Sequence, residues 1–215
     1  MTEAGRERTD HERTDDERAG RERADRVQVI EVREFGGPEV LTPARRPAPA
    51  AGPGQVVIAT AAADVLHIDT VIRSGRAAQW FDVRPPYVPG NGVAARSRRP
   101  DPAWTRACWA SGWWPTPARR AGPAATPNRA VVSADRVVPV PDEVSLADAV
   151  AVLNDGTAGM HEKLTGQALA EVAARRLRPV IGQSYPLDRA ADAHRGLEGR
   201  SAVGKTLLIV DGAAA

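Results

Sequence analysis

Few residues in this chain have types and spacings suited to chemistry. His67 and Asp69 stand two apart in DVLHIDTVIRSG, where an imidazole and a carboxylate could relay a proton, share a metal ion or simply hydrogen-bond at a surface. GRSAVGKT (199–206) fits the phosphate-loop pattern G-x-x-x-x-G-K-[ST] in full. That loop works when a buried strand enters it and a helix leaves, so that backbone N–H groups and the helix N-terminus hold phosphate. Here the flanking patterns run helix then strand. The expectation is therefore a helix-capping glycine and a turn before an edge strand. GNGVAA (90–95) fits a dinucleotide loop loosely, but it follows proline-rich text and is expected to be a turn. His161–Glu162 lacks the second histidine of a protease zinc motif, and His194 is expected on a helix face.

Positioning such residues falls to elements that the patterning makes visible. VQVIEV from Val27 alternates as a strand, and FGGPEVL turns. Residues 43–54 form a proline-rich connector, then QVVIATAAA makes a second strand. DVLHIDTVIRSG gives a turn with a short helix, and RPPYVPGNG a rigid loop. RAVVSADRVVPVP supplies two short strands. Ser145 caps the helix SLADAVAVL, with Asp148 three residues on. A helix is expected over 167–175, a strand in RPVIGQSY, a helix in DRAADAHRGLEGR and a closing strand in TLLIV.

Composition narrows the class. Only two of the 29 basic residues are lysines, Lys163 and Lys205, which points to GC-rich coding DNA. The single cysteine excludes an intrachain disulfide framework and a four-thiolate zinc lobe. No apolar run reaches the length of a membrane span, so a soluble, cytoplasmic protein without membrane partners is expected. Residues 1–26 are degenerate charged pentads (RERTD, HERTD, DERAG, RERAD) with nine acids against seven arginines. Such a tail buries too little to order itself, and its balanced charge argues against nucleic acid. Residues 95–128 hold six arginines and one aspartate; the net charge of +2 therefore arises locally and carries no general case for nucleic-acid binding.

Several passages, taken in order, resemble the quinone-oxidoreductase branch of the medium-chain dehydrogenase/reductase superfamily. They are VREFGGPEVL, PAPAAGPGQVVI, HIDTVIRSG, RPPYVPGNGVA, VVSADRVVPVPDEVSLADA, NDGTAG, LRPVIGQSYPLDRAADAH and VGKTLLIV. The resemblance implies an α+β, mainly β fold: a GroES-like, partly open β-barrel over 27–153, completed by 179–215, beside a dinucleotide-binding Rossmann domain. It implies zinc-independent hydride transfer from NADPH to a quinone or enone, and a tendency to homodimerise. The nicotinamide would do the chemistry while the protein orients and polarises. By position, Asp69 and Arg73 match catalytic or loop-holding residues, His67 and Thr70 face substrate, and Thr157 of NDGTAG lies near the nicotinamide. The family's asparagine and tyrosine on this loop are replaced by Leu66 and Val71.

Two departures accompany the match. Residues 154–178 stand where the whole Rossmann domain is inserted, shorter than one strand–helix–strand unit and without the glycine fingerprint, so the chain is read as an impaired or non-catalytic relative. Residues 95–128, including ACWASGWWPTPARR, show no strand alternation where the family places two strands. Tryptophan has one codon, TGG, so the pair Trp113–Trp114 read one base out of frame encodes valine. The same shift lets Ala125–Asn128 read Gly-Tyr-Ala-Glu, the family's text before RAVV. Residues 95–128 are accordingly expected to be an irregular, frame-shifted segment.

Overall fold

The computed structural model describes residues 26–90, 92–101, 104–110, 128–153 and 161–210. The expected disordered tail, most of the tryptophan-rich stretch and Thr157 lie outside them. The architecture is α+β as expected: a small two-stranded sheet, a seven-stranded sheet, and helices packed on the larger one.

β1 (Arg26–Val32) pairs antiparallel with β2 (Leu41–Pro47), Ile30 opposite Pro43. The connector expected over residues 43–54 is thus strand as far as Pro47. Proline cannot donate to a ladder, but β2 pairs with β1 alone, and on its other edge that donor is not required.

β3 (Gln55–Val65) is the organising strand. Its first half pairs with β6 (Arg129–Ser133) on one edge, and its middle, Ile58 to Ala63, pairs with β4 (Gly92–Asp101) on the other. Its second half pairs with β9 (Lys205–Ile209) along the edge that β6 leaves. A register shift between Thr60 and Ala62 lets one strand serve two cores. Ile58 before the shift, and Ala63 and Val65 after it, join the cluster of Ile30, Val32 and Leu208, while Ala61 and Ala62 face Val150, Leu153 and Leu169.

β5 (Trp104–Ala110) continues the sheet from β4, and β7 (Val138–Pro139) closes that side. Two strands thus stand where no alternation is legible in the text. The ladder is made by backbone groups that every residue but proline carries, and β3 presents an open row of them. β4 also begins at Gly92, so the second part of GNGVAA is strand rather than turn, with Val93, Ala94 and Ala95 fully buried.

Four helices complete the described chain: α1 (His67–Arg73), α2 (Leu146–Ala151), α3 (His161–Ala173) and α4 (Ala190–Glu198). Ser145 caps α2 as expected, its hydroxyl accepting the Asp148 N–H at 3.0 Å. α3 begins earlier than the expected residue 167, and its Leu169 seals the second core cluster. β8 (Ile181–Pro186) runs parallel to β9 with α4 as the crossover. β9 lies between β3 and β8, so the strand after GRSAVGKT is interior rather than at an edge.

Candidate functional site

α1 follows directly from β3, and its buried residues, Asp69, Thr70, Ile72 and Arg73, include three of the four chemical side chains singled out in this stretch. Leu66 precedes the helix and has no side-chain acceptor to offer, so Asp69 secures the first turn from inside. Its Oδ2 accepts the Leu66 N–H at 2.8 Å. The Thr70 hydroxyl donates to the His67 carbonyl at 2.8 Å. Arg73, fully buried, forms an ion pair with Glu198 at the end of α4. Residues two apart on a helix do not share a face. His67 is accordingly exposed while Asp69 is buried, and the imidazole–carboxylate pair suggested by HID is not brought together. Among the described residues no group of histidine, cysteine, aspartate and glutamate side chains is arranged to hold a metal ion.

Beneath α1 lies a small enclosed pocket. Asp64 at the end of β3, Asp69, and His194 of α4 supply its polar walls; Ile30, Val65 and Leu208 supply much of the rest. Burial pushes the Asp69 carboxyl up to about 7, the Leu66 N–H opposing and the nearby Asp64 charge reinforcing the rise. Burial likewise pushes His194 down to about 3, helped by the Arg73 guanidinium. Tyr87 is held above the usual phenol range, by burial first and by the Asp69 charge next. Its backbone pairs with Val32 of β1, at 2.8 and 3.0 Å. Among the described residues the Tyr87 hydroxyl, His194 Nδ1, and Nε and Nη1 of Arg73 have no hydrogen-bond partner.

The sequence reading missed Asp64, Tyr87, His194 and Glu198 as members of this cluster. The spacing of Ala190, His194 and Glu198 along one side of α4 is the signal that could have found two of them. Asp64 and Tyr87 join through tertiary packing alone.

The family model for zinc-binding dehydrogenases matches residues 124–208. The chain also superposes on a solved mycobacterial quinone oxidoreductase with a TM-score of 0.64 at 16% identity, covering 85% of this chain and 99% of that one. Over residues 124–208 the chain is similar to that family, and the superposition shows the fold it shares with the solved protein. A mycobacterial protein complexed with NADPH gives a TM-score of 0.63 at 16% identity, over 85% of this chain and 99% of that one. An NAD-dependent alcohol dehydrogenase gives 0.67 at 16% identity, with the same coverages. No curated protein sequence matches.

A nicotinamide dinucleotide, which two of those solved proteins are described with, needs a glycine-rich turn between a parallel strand and a helix N-terminus. Among the described residues, the only parallel strand–helix–strand unit is β8–α4–β9. Its strand-to-helix turn is Pro186–Arg189, without glycine, and Asp192 places a carboxylate in the first turn of α4. The glycines lie at the opposite end, where Gly199 caps α4 and Gly204 turns into β9 with φ +86°. GRSAVGKT is therefore a helix-to-strand turn, and the residues described do not fit a pyrophosphate.

Proposed function

We propose that this chain is the substrate-side half of a quinone-oxidoreductase-like reductase, one that keeps the barrel and α1 but has no nicotinamide site among its described residues. The substrate class is a quinone or another conjugated carbonyl compound. In this reading His67, exposed on α1, meets its oxygen, and the buried Thr70, Asp69 and Arg73 hold the helix that presents it. The observation that carries this reading is the inverted glycine placement around α4, in a chain whose other features follow the superfamily. NADPH is the hydride donor expected of the branch. With no cradle for it among the described residues, the isolated chain binds a carbonyl ligand without reducing it. This is also the sense in which it acts as a non-catalytic GroES-like binding module.

Thermal melts of the purified chain test this. A fully substituted benzoquinone, which cannot alkylate Cys108, is expected to raise the melting temperature, and millimolar NADPH to leave it unchanged. A ligand at one hundred times its dissociation constant stabilises by about 2.7 kcal/mol, a readily measured shift. Stabilisation by NADPH, or NADPH oxidation in the presence of the quinone, would show a cofactor site and overturn the proposal. No response to any quinone would remove its substrate half.

A further inference from the structure

β8 ends the path of the seven-stranded sheet: β9 takes one of its edges, and among the described residues no strand takes the other. Such an edge offers a row of N–H and C=O groups to any second strand, and proteins ordinarily blunt it. β7, at the other end of the path, is two residues long. β2 carries Pro43, Pro47, Arg45 and Arg46, and the residue before β6 is tied to β1, the Asn128 N–H donating to the Gln28 carbonyl at 3.0 Å. β8 has six residues, none of them charged, and is blunted only by its irregular register at Gly182 and by Pro186 at its end. One face of β8 is held beneath α4: the Tyr185 hydroxyl donates to Gln183 Oε1 at 2.6 Å, and the Gln183 amide donates to Thr206 Oγ1 at 3.2 Å. On the other face Val180, Gly182, Ser184 and Pro186 are exposed. Val180 and Val203, 62% and 78% exposed, stand together at the head of the strand, where the Cβ position of Gly204 lies 2.8 Å from the Val180 side chain.

We propose that the free edge of β8 docks β8 of a second copy of this chain, the two strands antiparallel about a twofold axis at Gln183. The segment is complementary to itself in that register, which selects a second copy over an unrelated strand. Gly182 stands opposite Ser184 and Ile181 opposite Tyr185, while the exposed Val180 of each copy is covered by Pro186 of the other. Just outside the ladder, the exposed Arg178 of each copy meets the exposed Asp188 of the other. The neighbouring arginines are already engaged within the chain, Arg176 by Glu171 and Arg189 by Asp192, which leaves Arg178 and Asp188 to each other. Moving the axis to Ser184 would set Asp188 opposite Val180 and Arg178 opposite Ala190, so the charges fix the register at Gln183. The contact joins two seven-stranded sheets edge to edge and leaves α1 outside it.

Analytical ultracentrifugation of the full chain over a dilution series tests this. The wild type should show a reversible monomer–dimer equilibrium. Arg178→Asp and Asp188→Arg each set like charges opposite at two symmetry-related places, and each should weaken association roughly tenfold. The double variant Arg178→Asp/Asp188→Arg restores opposite charges and should return close to the wild-type affinity. A chain that stays monomeric up to about 1 mM overturns the proposal. So does a dimer that the single variants leave unchanged, or one that the double variant fails to restore. A readout on the wild type guards against a variant that fails to fold. Amide hydrogen exchange in β8 should slow as the concentration rises through the dimerisation range, while exchange in β2 stays constant. Dimerisation without that slowing places the contact elsewhere and overturns the proposal equally.

Discussion

The Arg73–Glu198 pair shows how unequal the two ends of an ion pair are. Arg73 is fully buried, and two of its nitrogens lack partners among the described residues; the Glu198 side chain keeps 30% of its exposure. Removing the carboxylate leaves a guanidinium stranded in the interior. Removing the guanidinium leaves a carboxylate that can turn toward water. Breaking a buried pair from one side costs on the order of 3–5 kcal/mol, whereas an apolar replacement of similar volume is often close to neutral. Glu198→Ala should therefore lower unfolding stability by about 2–3 kcal/mol, the partial exposure of the pair reducing the loss, while Arg73→Met should change it by less than about 1 kcal/mol. Urea titration of both variants checks the asymmetry. Equal losses would mean that Arg73 does more than satisfy Glu198, for instance by fixing α1 for a ligand.

At the scale of elements, the turn from α4 into β9 and the start of β8 are locked by backbone contact. A Cβ on Gly182 would stand 1.8 Å from the Val203 carbonyl oxygen, and one on Gly204, at positive φ, 2.2 Å from that of Val180. Neither oxygen is the tip of a flexible side chain, so the strands must separate to admit a methyl group. Gly182→Ala is expected to cost more than about 2 kcal/mol by this overpacking. Gly166 lies within α3 with nothing inside 4 Å of its Cβ position, and Gly166→Ala should stabilise by about 0.5–1 kcal/mol through helix propensity. Thermal melts of the two alanine variants should move in opposite directions. α3 also bears on how far the elements were legible. β1, β3, β8, α2 and α4 follow from alternation, a serine cap and helical spacing, signals local to their own residues. β2 was hidden by Pro43 and Pro47, because prolines read as breakers unless a strand's open edge is known in advance. β4 and β5 were hidden because β3 imposes the pairing of β4, and β4 that of β5, whatever side chains they bring. The pocket was legible only on α1: Asp69 and Arg73 sit in a recognisable stretch, but Asp64, Tyr87 and His194 converge through the closure of the sheet.

The whole molecule is tied together by one strand. β3 contributes Ile58, Ala63 and Val65 to the first core cluster, and Ala61 and Ala62 to the second. The first cluster takes its other members from β1, β2, β4, β6, β9, Leu187 and α4; the second takes them from β4, β9, α3, α2 and the residues that flank α2. Neither can be dismantled while β3 and β9 stay in register with both. A chain built as a barrel domain beside a separate cofactor domain has two cores divided by a cleft, and each can melt by itself. Here the two larger cores of the described residues share their central strands, and a third, smaller cluster of Ile72, Ala77 and Val83 includes a residue of α1, so they should unfold as a single cooperative unit. Ile30→Val removes one methylene from the first cluster, at about 0.5–1.5 kcal/mol, and Leu169→Ala empties part of the second, at about 2–5 kcal/mol. Both substitutions should displace one common transition, seen alike by far-ultraviolet circular dichroism and by calorimetry, with calorimetric and van't Hoff enthalpies equal. If Leu169→Ala instead split the melt, leaving a transition at the wild-type midpoint, α2 and α3 would form a separate folding unit, an appendage rather than a wall of the core that β3 and β9 share.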